Sequence, residues 1–436
     1  MREKVSSRFG FLMLAAGCAV GLGNVWRFPY IVGQNGGAAF VVVYLVFLLL
    51  LGFPLLTVEL AIGRGARRGI ARAMWKLSRR RAWRLAGSLI FLGNFILMIY
   101  YTDVAGWLLK YSWDYAATGT PVSFDVLTSS CGTCTLFMSA TVIAATVVCC
   151  GGLVKGVERM AKILMVSLLV LLVILALKAL TLPAAAEGIK FYLYPDWHKF
   201  MEHPWRAVME AMGQAFFTLS LGIGCMTIFG SYMGRQNTLA KEAALIIVID
   251  TVVALLAGVV IFPACMTYGV EPSSGPGLIF NALPEVFARM SGGRLWGFAF
   301  FLFLSFAAFT TIITVFECII GGICDETVRR RGGNSKRRIV SLLVGLMVAI
   351  SSMPCILWEG ALKWEDFAVS QLWLPLGALA QAVFVSWPGG WNWEAFCAEA
   401  SRGSGFAFSR SLKPLIAFVL PALIIIVIVA GIVSQL

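Results

Sequence analysis

The chain of 436 residues is 59% hydrophobic and 13% charged, against about 25% charged in an ordinary soluble domain, which excludes a fold stable in water. Its 35 Lys plus Arg against 22 Asp plus Glu give a formal charge of +13. The basic residues gather in a few short loops without the aromatic interleaving of a single-strand binder, so nucleic acid is excluded as a partner and the lipid bilayer takes its place.

From the N-terminus, Met1 to Arg8 is basic and an apolar stretch follows. Leu14-Ala15-Ala16-Gly17-Cys18 resembles a lipoprotein cleavage box, but Ala15 stands where that box has Leu, and cleavage is not expected. Apolar runs and their breakers then predict an all-α polytopic protein with eleven spans, at 9–31, 38–62, 85–112, 136–153, 161–182, 206–232, 243–269, 294–323, 338–356, 367–388 and 413–435. The stretch from Arg64 to Arg84 holds eight Arg and Lys76 with no acid, and Arg329 to Arg338 holds five Arg and Lys336. Positive charge marks cytoplasmic loops, so the N-terminus is expected inside, the C-terminus outside, and the protein in the inner, cytoplasmic membrane. The loops at 112–135, 183–205, 270–293 and 357–366 then fall outside. Of eleven scattered cysteines, only Cys131 and Cys134 lie in a predicted polar loop, where CGTC reads as a local disulfide sooner than as a zinc site.

Glycines interrupt two spans at matching places, the first at Gly17, Gly21 and Gly23 and the sixth at Gly222 and Gly224. Two five-helix repeats follow from this, 9–182 and 206–388, with helix 11 at 413–435 outside them. Because five is odd, the second repeat enters the membrane in the opposite sense. Unwound backbone survives at membrane depth only where it lines a cavity, so paired interruptions point to a transporter site. Close helix packing is the alternative reading of either cluster alone.

The run from Gly17 through Gly21-Leu22-Gly23-Asn24-Val25-Trp26-Arg27-Phe28-Pro29-Tyr30, then Asn35-Gly36-Gly37-Ala38-Ala39-Phe40, resembles the first helix of the neurotransmitter:sodium symporter family. Gln214 to Gly222, Ile99-Tyr100-Tyr101, Gly275-Pro276-Gly277-Leu278-Ile279-Phe280 and Phe306 to Thr311 extend the resemblance over nearly the whole chain. Eleven spans in place of twelve are a departure confined to the C-terminal periphery. The resemblance implies sodium-coupled symport of an amino acid by alternating access, with two sodium ions as cofactors. A first ion is implied at the Ala19 carbonyl, Asn24, Thr218 and Asp250, and a second at the carbonyls of Gly17, Val20 and Ala307 with the hydroxyls of Thr310 and Thr311. Taken alone, the two threonines read equally as bonding their own preceding turn.

By the same resemblance the substrate site comprises Cys18, Ala19, Leu22, Gly23, Leu97, Tyr101, Phe217, Thr218, Ser220, Ile223, Thr311 and Val315. Those residues carry no charge, which suits a neutral, hydrophobic amino acid, because a charged side chain would be left unpaired. Arg27 with Asp366, and Tyr101 with Phe217, correspond to the extracellular gate and its lid. Arg2, Tyr232 and Asp325 correspond to the cytoplasmic gate, where Val5 replaces the usual Trp.

Asp250 lies in the apolar run Ile246 to Phe262, where an ionisable residue is costly and points to function. Family counterparts often carry Asn there. One turn on is Ala254, where some relatives have a carboxylate and chloride-dependent ones a serine. Asp250 is therefore expected to supply the anion itself, making chloride dispensable. Asp103, two residues past Tyr101, has no place in the family pattern; it either faces vestibule water or takes part in proton coupling. Glu59 and Glu317 are expected to bond backbone at loop junctions. No HExxH, GxSxG or Walker sequence appears, so an enzyme is not expected. A sensor or channel of the same fold is the alternative function, and homo-oligomer formation is left open.

Overall fold

The structure, a computed structural model, describes residues 3–270, 277–327, 334–358 and 360–433. Among the described residues nine helices are long and apolar enough to cross a membrane, from Ala38–Ala66 to Arg410–Val433. A tenth span is the pair Arg8–Ala19 and Gly23–Gln34, bent by 55° at its break. The sixth predicted span consists of Pro204–Thr218 and Cys225–Tyr232 with residues 219–224 unwound between them. Each predicted span is thus helical, but the sixth is too interrupted to count by length and apolarity. Hydrocarbon offers no partner for a backbone amide, which is why the apolar runs resolve as helices bonded within themselves.

Gly293–Thr327 packs along Arg81–Ala117, and both flank the first broken helix or its neighbours. At 37 and 35 residues they exceed what a hydrocarbon core of about 30 Å needs at about 1.5 Å per residue, so they tilt or project beyond it.

Three expectations are corrected. The stretch 64–84 is not a plain loop, since Ile70–Ser78 within it is an amphipathic helix. The CGTC pair is not a disulfide in a loop. It opens the Cys131–Cys150 helix, where Cys131 is exposed while the buried Cys134 thiol donates to the Leu127 carbonyl at 3.2 Å, and both are free thiols. The first helix breaks at Val20 to Leu22, and Gly17 stays helical.

The end of the Phe53–Ala66 helix is fixed by Arg64, which is wholly buried. Its guanidinium donates to Glu399 Oε1 at 2.8 Å, to the Asn237 carbonyl at 2.8 Å and to the Glu399 carbonyl. Arg235 shares the same carboxylate, 3.1 Å from Glu399 Oε2. Five donors on a rigid fork satisfy this many acceptors at once, which Lys does not do. The Trp393–Ala400 helix is thereby tied to the ends of two spans.

Candidate functional site

The site begins where two helices stop. Val20 takes an extended conformation, φ −69° and ψ 102°, and ends the first helix after Ala19. In the sixth, Ser220, Gly222 and Gly224 all have positive φ. Gly222, at φ +98°, is pressed against the Leu374 carbonyl, so a Cβ there would meet both strain and a clash. The unwound stretch is held from its other side by Glu59, whose Oε1 accepts from the Gly222 amide at 2.5 Å and from Gln381 Nε2 at 3.0 Å. Glu59 does bond backbone as expected, but in the middle of the broken helix and not at a loop junction.

Around these breaks lie two groups of oxygens. In the first, Asn24 Nδ2 donates to Thr218 Oγ1 at 3.1 Å, to Asp250 Oδ1 at 2.8 Å and to the Asp250 carbonyl at 3.2 Å. The Thr218 hydroxyl donates to Asp250 Oδ2 at 2.8 Å, and Asn24 Oδ1 accepts from the Gly21 amide at 3.1 Å. Asn24, Thr218 and Asp250, from three separate helices, are thus brought together in the interior. Beside them the Tyr44 hydroxyl and Gln214 Oε1 are buried without partners. In the second group the Thr311 hydroxyl reaches the Gly17 carbonyl at 3.4 Å and the Ala307 carbonyl at 3.3 Å, and the Thr310 hydroxyl reaches Ala307 at 2.8 Å. Both threonines therefore bond their own helix, while Thr311 also faces the first. Hydroxyl, carbonyl, amide and carboxylate oxygens form a donor set that fits a hard cation and not a soft one. Among the described residues no group of three or more His, Cys, Asp or Glu is placed to hold a metal.

Beside the two groups a small cavity of about 30 Å³ is lined by Cys18, Ala19, Gly21, Leu22, Gly23, Leu97, Tyr101, Phe217, Ser220, Ile223, Thr311 and Leu374. All but two of the expected substrate residues are among them. Thr218 belongs to the oxygen group, and Val315 is buried behind the wall. Leu374 and Gly21 were not anticipated. Leu374 starts the Leu374–Ser386 helix and arrives through its packing on Gly222, for which a local sequence pattern gives no signal. Asn94 also escaped notice, although a polar residue in an apolar run is a readable sign; its Nδ2 holds the Ile223 carbonyl at 2.7 Å and its Oδ1 accepts from the Cys225 thiol at 2.9 Å.

Above this cavity opens a second of about 330 Å³, lined by Arg27, Trp26, Tyr30, Lys363, Asp366 and Gln371 among others. Leu22, Gly23, Tyr101 and Phe217 line both cavities, which therefore adjoin at these residues. Tyr101 Oη accepts from the Leu22 amide at 3.3 Å. Arg27 stacks over the Phe217 ring, 5.1 Å from its centroid, and shares the vestibule wall with Asp366 without a described ion pair between them. Asp103 is buried and absent from that wall, which overturns the water-facing reading.

On the opposite side, Tyr232 donates to Glu317 Oε1 at 2.6 Å, and Arg337 pairs with the same carboxylate. Glu317 is thus an ion-pair partner and not a backbone acceptor. Asp325 Oδ2 accepts from the Gly69 amide at 2.7 Å, with Arg68 3.3 Å from Oδ1. Arg2 lies outside the described residues, as do Gly275 and Pro276. The segment before the first helix is fastened by Glu158, which accepts from the Ser6 amide at 2.8 Å and hydroxyl at 2.5 Å, and by Glu242, 2.8 Å from Arg8 Nε.

Comparison with known proteins agrees with this geometry. The sequence profile described as "Sodium:neurotransmitter symporter family" matches residues 2–123 and 122–435. The chain is 35% identical to an uncharacterized sodium-dependent transporter, YhdH, of Bacillus subtilis (strain 168), over 97% of this chain and 96% of that protein. It is 32% identical to the sodium-dependent serotonin transporter of Drosophila melanogaster, over 82% of this chain and 65% of that one. The crystal structure of MhsT in complex with L-phenylalanine superposes with a TM-score of 0.86 at 33% identity, covering 99% of this chain and all of the other.

Proposed function

The chain belongs to the sodium:neurotransmitter symporter family, a family of sodium-dependent membrane transporters and not of enzymes, and on that premise we propose that it carries a neutral, hydrophobic amino acid into the cell together with two sodium ions by alternating access. The observation that carries the reading is the uncharged cavity lined by two helix breaks and flanked by two buried oxygen groups. The amino acid's carboxylate meets the unwound first helix and Tyr101, and its ammonium meets the carbonyls of Ala19, Phe217 and Ser220. Leu22, Leu97 and Ile223 face its side chain, with Leu374 added to that wall. The complex of MhsT with L-phenylalanine supports a hydrophobic substrate.

Asn24, Thr218, Asp250 and the Ala19 carbonyl hold the first ion, and Thr310, Thr311 and the carbonyls of Gly17, Val20 and Ala307 the second. Bound sodium supplies positive charge beside the substrate carboxylate and, by entering down its gradient, the driving force. Each charge moved through 100 mV contributes about 2.3 kcal/mol, so two ions suffice for roughly a thousandfold accumulation before any sodium gradient is counted. Chloride is dispensable because Asp250 supplies the anion. Eleven spans in two inverted repeats, 9–182 and 206–388 with 413–435 outside them, lie in the inner membrane with the N-terminus in the cytoplasm and the C-terminus outside. The basic stretch at 64–84 supports that orientation.

Arg27 and Asp366 guard the outer entrance. A surface pair contributes only about 0 to 1 kcal/mol and a cation over an aromatic ring about 0.5 to 1 kcal/mol, weak enough to break in every cycle. Arg27→Ala is accordingly expected to slow uptake by about threefold to thirtyfold, at about 1.4 kcal/mol per decade, while sodium binding measured by isothermal titration is partly retained. Equal loss of both would make Arg27 a folding residue.

The test of the whole reading is uptake of labelled neutral amino acids into proteoliposomes, with an inward sodium gradient compared against equal sodium on both sides. Accumulation only with the gradient supports symport and ranks substrates. Sodium-dependent binding without accumulation makes the protein a sensor, and currents far above carrier turnover make it a channel. Neither binding nor uptake for any amino acid overturns the substrate assignment.

A further inference from the structure

Asp103 sits in the Arg81–Ala117 helix, 1% exposed, and its carboxylate has no well-formed hydrogen bond, only the Cys355 thiol within reach as a donor. One turn further, the buried Trp107 indole N–H faces the Cys134 thiol. The groups that face Asp103 come from three other elements. Cys355 belongs to the Asn334–Leu357 helix, Glu365 to the short Ala361–Phe367 helix, and Cys134 to the Cys131–Cys150 helix. The Cys355 thiol lies between the two acids and donates to Glu365 Oε2 at 2.9 Å. No Lys, Arg or His is among the groups facing Asp103, and the cluster is not placed to hold a metal. A bare carboxylate at membrane depth opposite a second carboxylate is costly, and an ionisable residue there marks function by default.

We propose that Asp103 and Glu365 form a proton-binding site on the extracellular side, and that its occupancy sets how readily the outer vestibule opens. The acid-base step is simple. One carboxylate takes a proton from external water and returns it there. The lever is the Ala361–Phe367 helix, because Glu365 on it faces Asp103 across the Cys355 thiol while the adjacent Asp366 lines the vestibule. With a proton held between the acids this helix stays packed on Arg81–Ala117 and the vestibule narrows. With the proton gone, two like charges in a poorly screened interior push the helix outward, since repulsion at an effective dielectric of about 20 is several times that in water. External acid therefore favours the closed entrance, and external base the open one.

Hydrogen exchange of the full chain in proteoliposomes tests this without any substrate, so its outcome is separable from the substrate assignment. Protection of residues 361–367 is measured at about pH 5.5 and about pH 8, with exposure times scaled for intrinsic exchange. Wild type is expected to be at least about fivefold more protected in acid, the lower end of ordinary coupling between sites. Asp103→Asn and, independently, Glu365→Gln should show high protection at both values, whereas joint replacement of His198 and His203, the only histidines, should leave the response intact. A wild type with no response overturns the proposal. So does an unchanged response in both acid variants, or its loss in the histidine variant.

Discussion

Glu59→Ala is expected to abolish uptake, by at least about a hundredfold. Its carboxylate accepts from the Gly222 amide at 2.5 Å and from Gln381 Nε2 at 3.0 Å, all three residues being buried or pressed against buried backbone. Removing it strands the amide of an unwound residue at membrane depth, where no water replaces the partner. Each of the two buried donors left unpaired costs about 1 to 3 kcal/mol, and 1.4 kcal/mol is a decade, so the geometry of the substrate wall does not survive. Gly222 cannot relax toward its other neighbour, because the Leu374 carbonyl is already against its Cα. Glu59→Gln retains an acceptor oxygen and should recover much of the activity. Uptake into proteoliposomes, with monodispersity in detergent as the check on folding, decides the matter; Glu59→Ala within about twofold of wild type would show that the unwound stretch holds itself.

Why this residue was misjudged from sequence explains how far sequence reaches in such a fold. The helices, their order and the two breaks follow from local signals, because apolar run length, clustered glycine and basic loops act through the nearest turn of chain or through the bilayer. Most of the cavity wall was legible for the same reason, since it is built from residues at the breaks themselves. What escaped depends on contacts between distant segments. Glu59 is expected from sequence to bond backbone at a loop junction, but the backbone it bonds is 163 residues away. Leu374 enters the wall only because Gly222 and Gly377 let two backbones touch. Gly17 was read as part of the break because glycine permits unwinding, yet it stays in an intact helix, where a Cβ would meet Thr310 and Met165 only at ordinary contact distance. The CGTC pair failed similarly. A polar composition suggested a loop, while the Ser130 carbonyl bonds the Cys134 amide and the helix runs on to Cys150.

The largest effect expected of any substitution is at Asp250, and it turns on charge and not on shape. Two sodium ions and a zwitterion sum to two positive charges in a water-poor interior, and Asp250 lowers that to one. Asp250→Asn keeps an oxygen for Asn24 and changes almost no volume, so packing should hold. Its missing charge is another matter. Two unit charges about 4 Å apart interact by about 4 kcal/mol at an effective dielectric of about 20, which is between two and three decades in sodium affinity. In wild type, replacing chloride by gluconate should change uptake by less than about twofold. In Asp250→Asn, sodium half-saturation should rise about a hundredfold or more in gluconate, and chloride should restore part of it. The surroundings are suited to that rescue, because the Tyr44 hydroxyl is already buried without a partner and the Thr218 hydroxyl loses the carboxylate it now donates to. Two freed donors beside a vacated negative charge are what a chloride ion needs. Collapse of wild-type transport in gluconate would mean that the anion comes from solution after all, and that Asp250 holds sodium without balancing its charge.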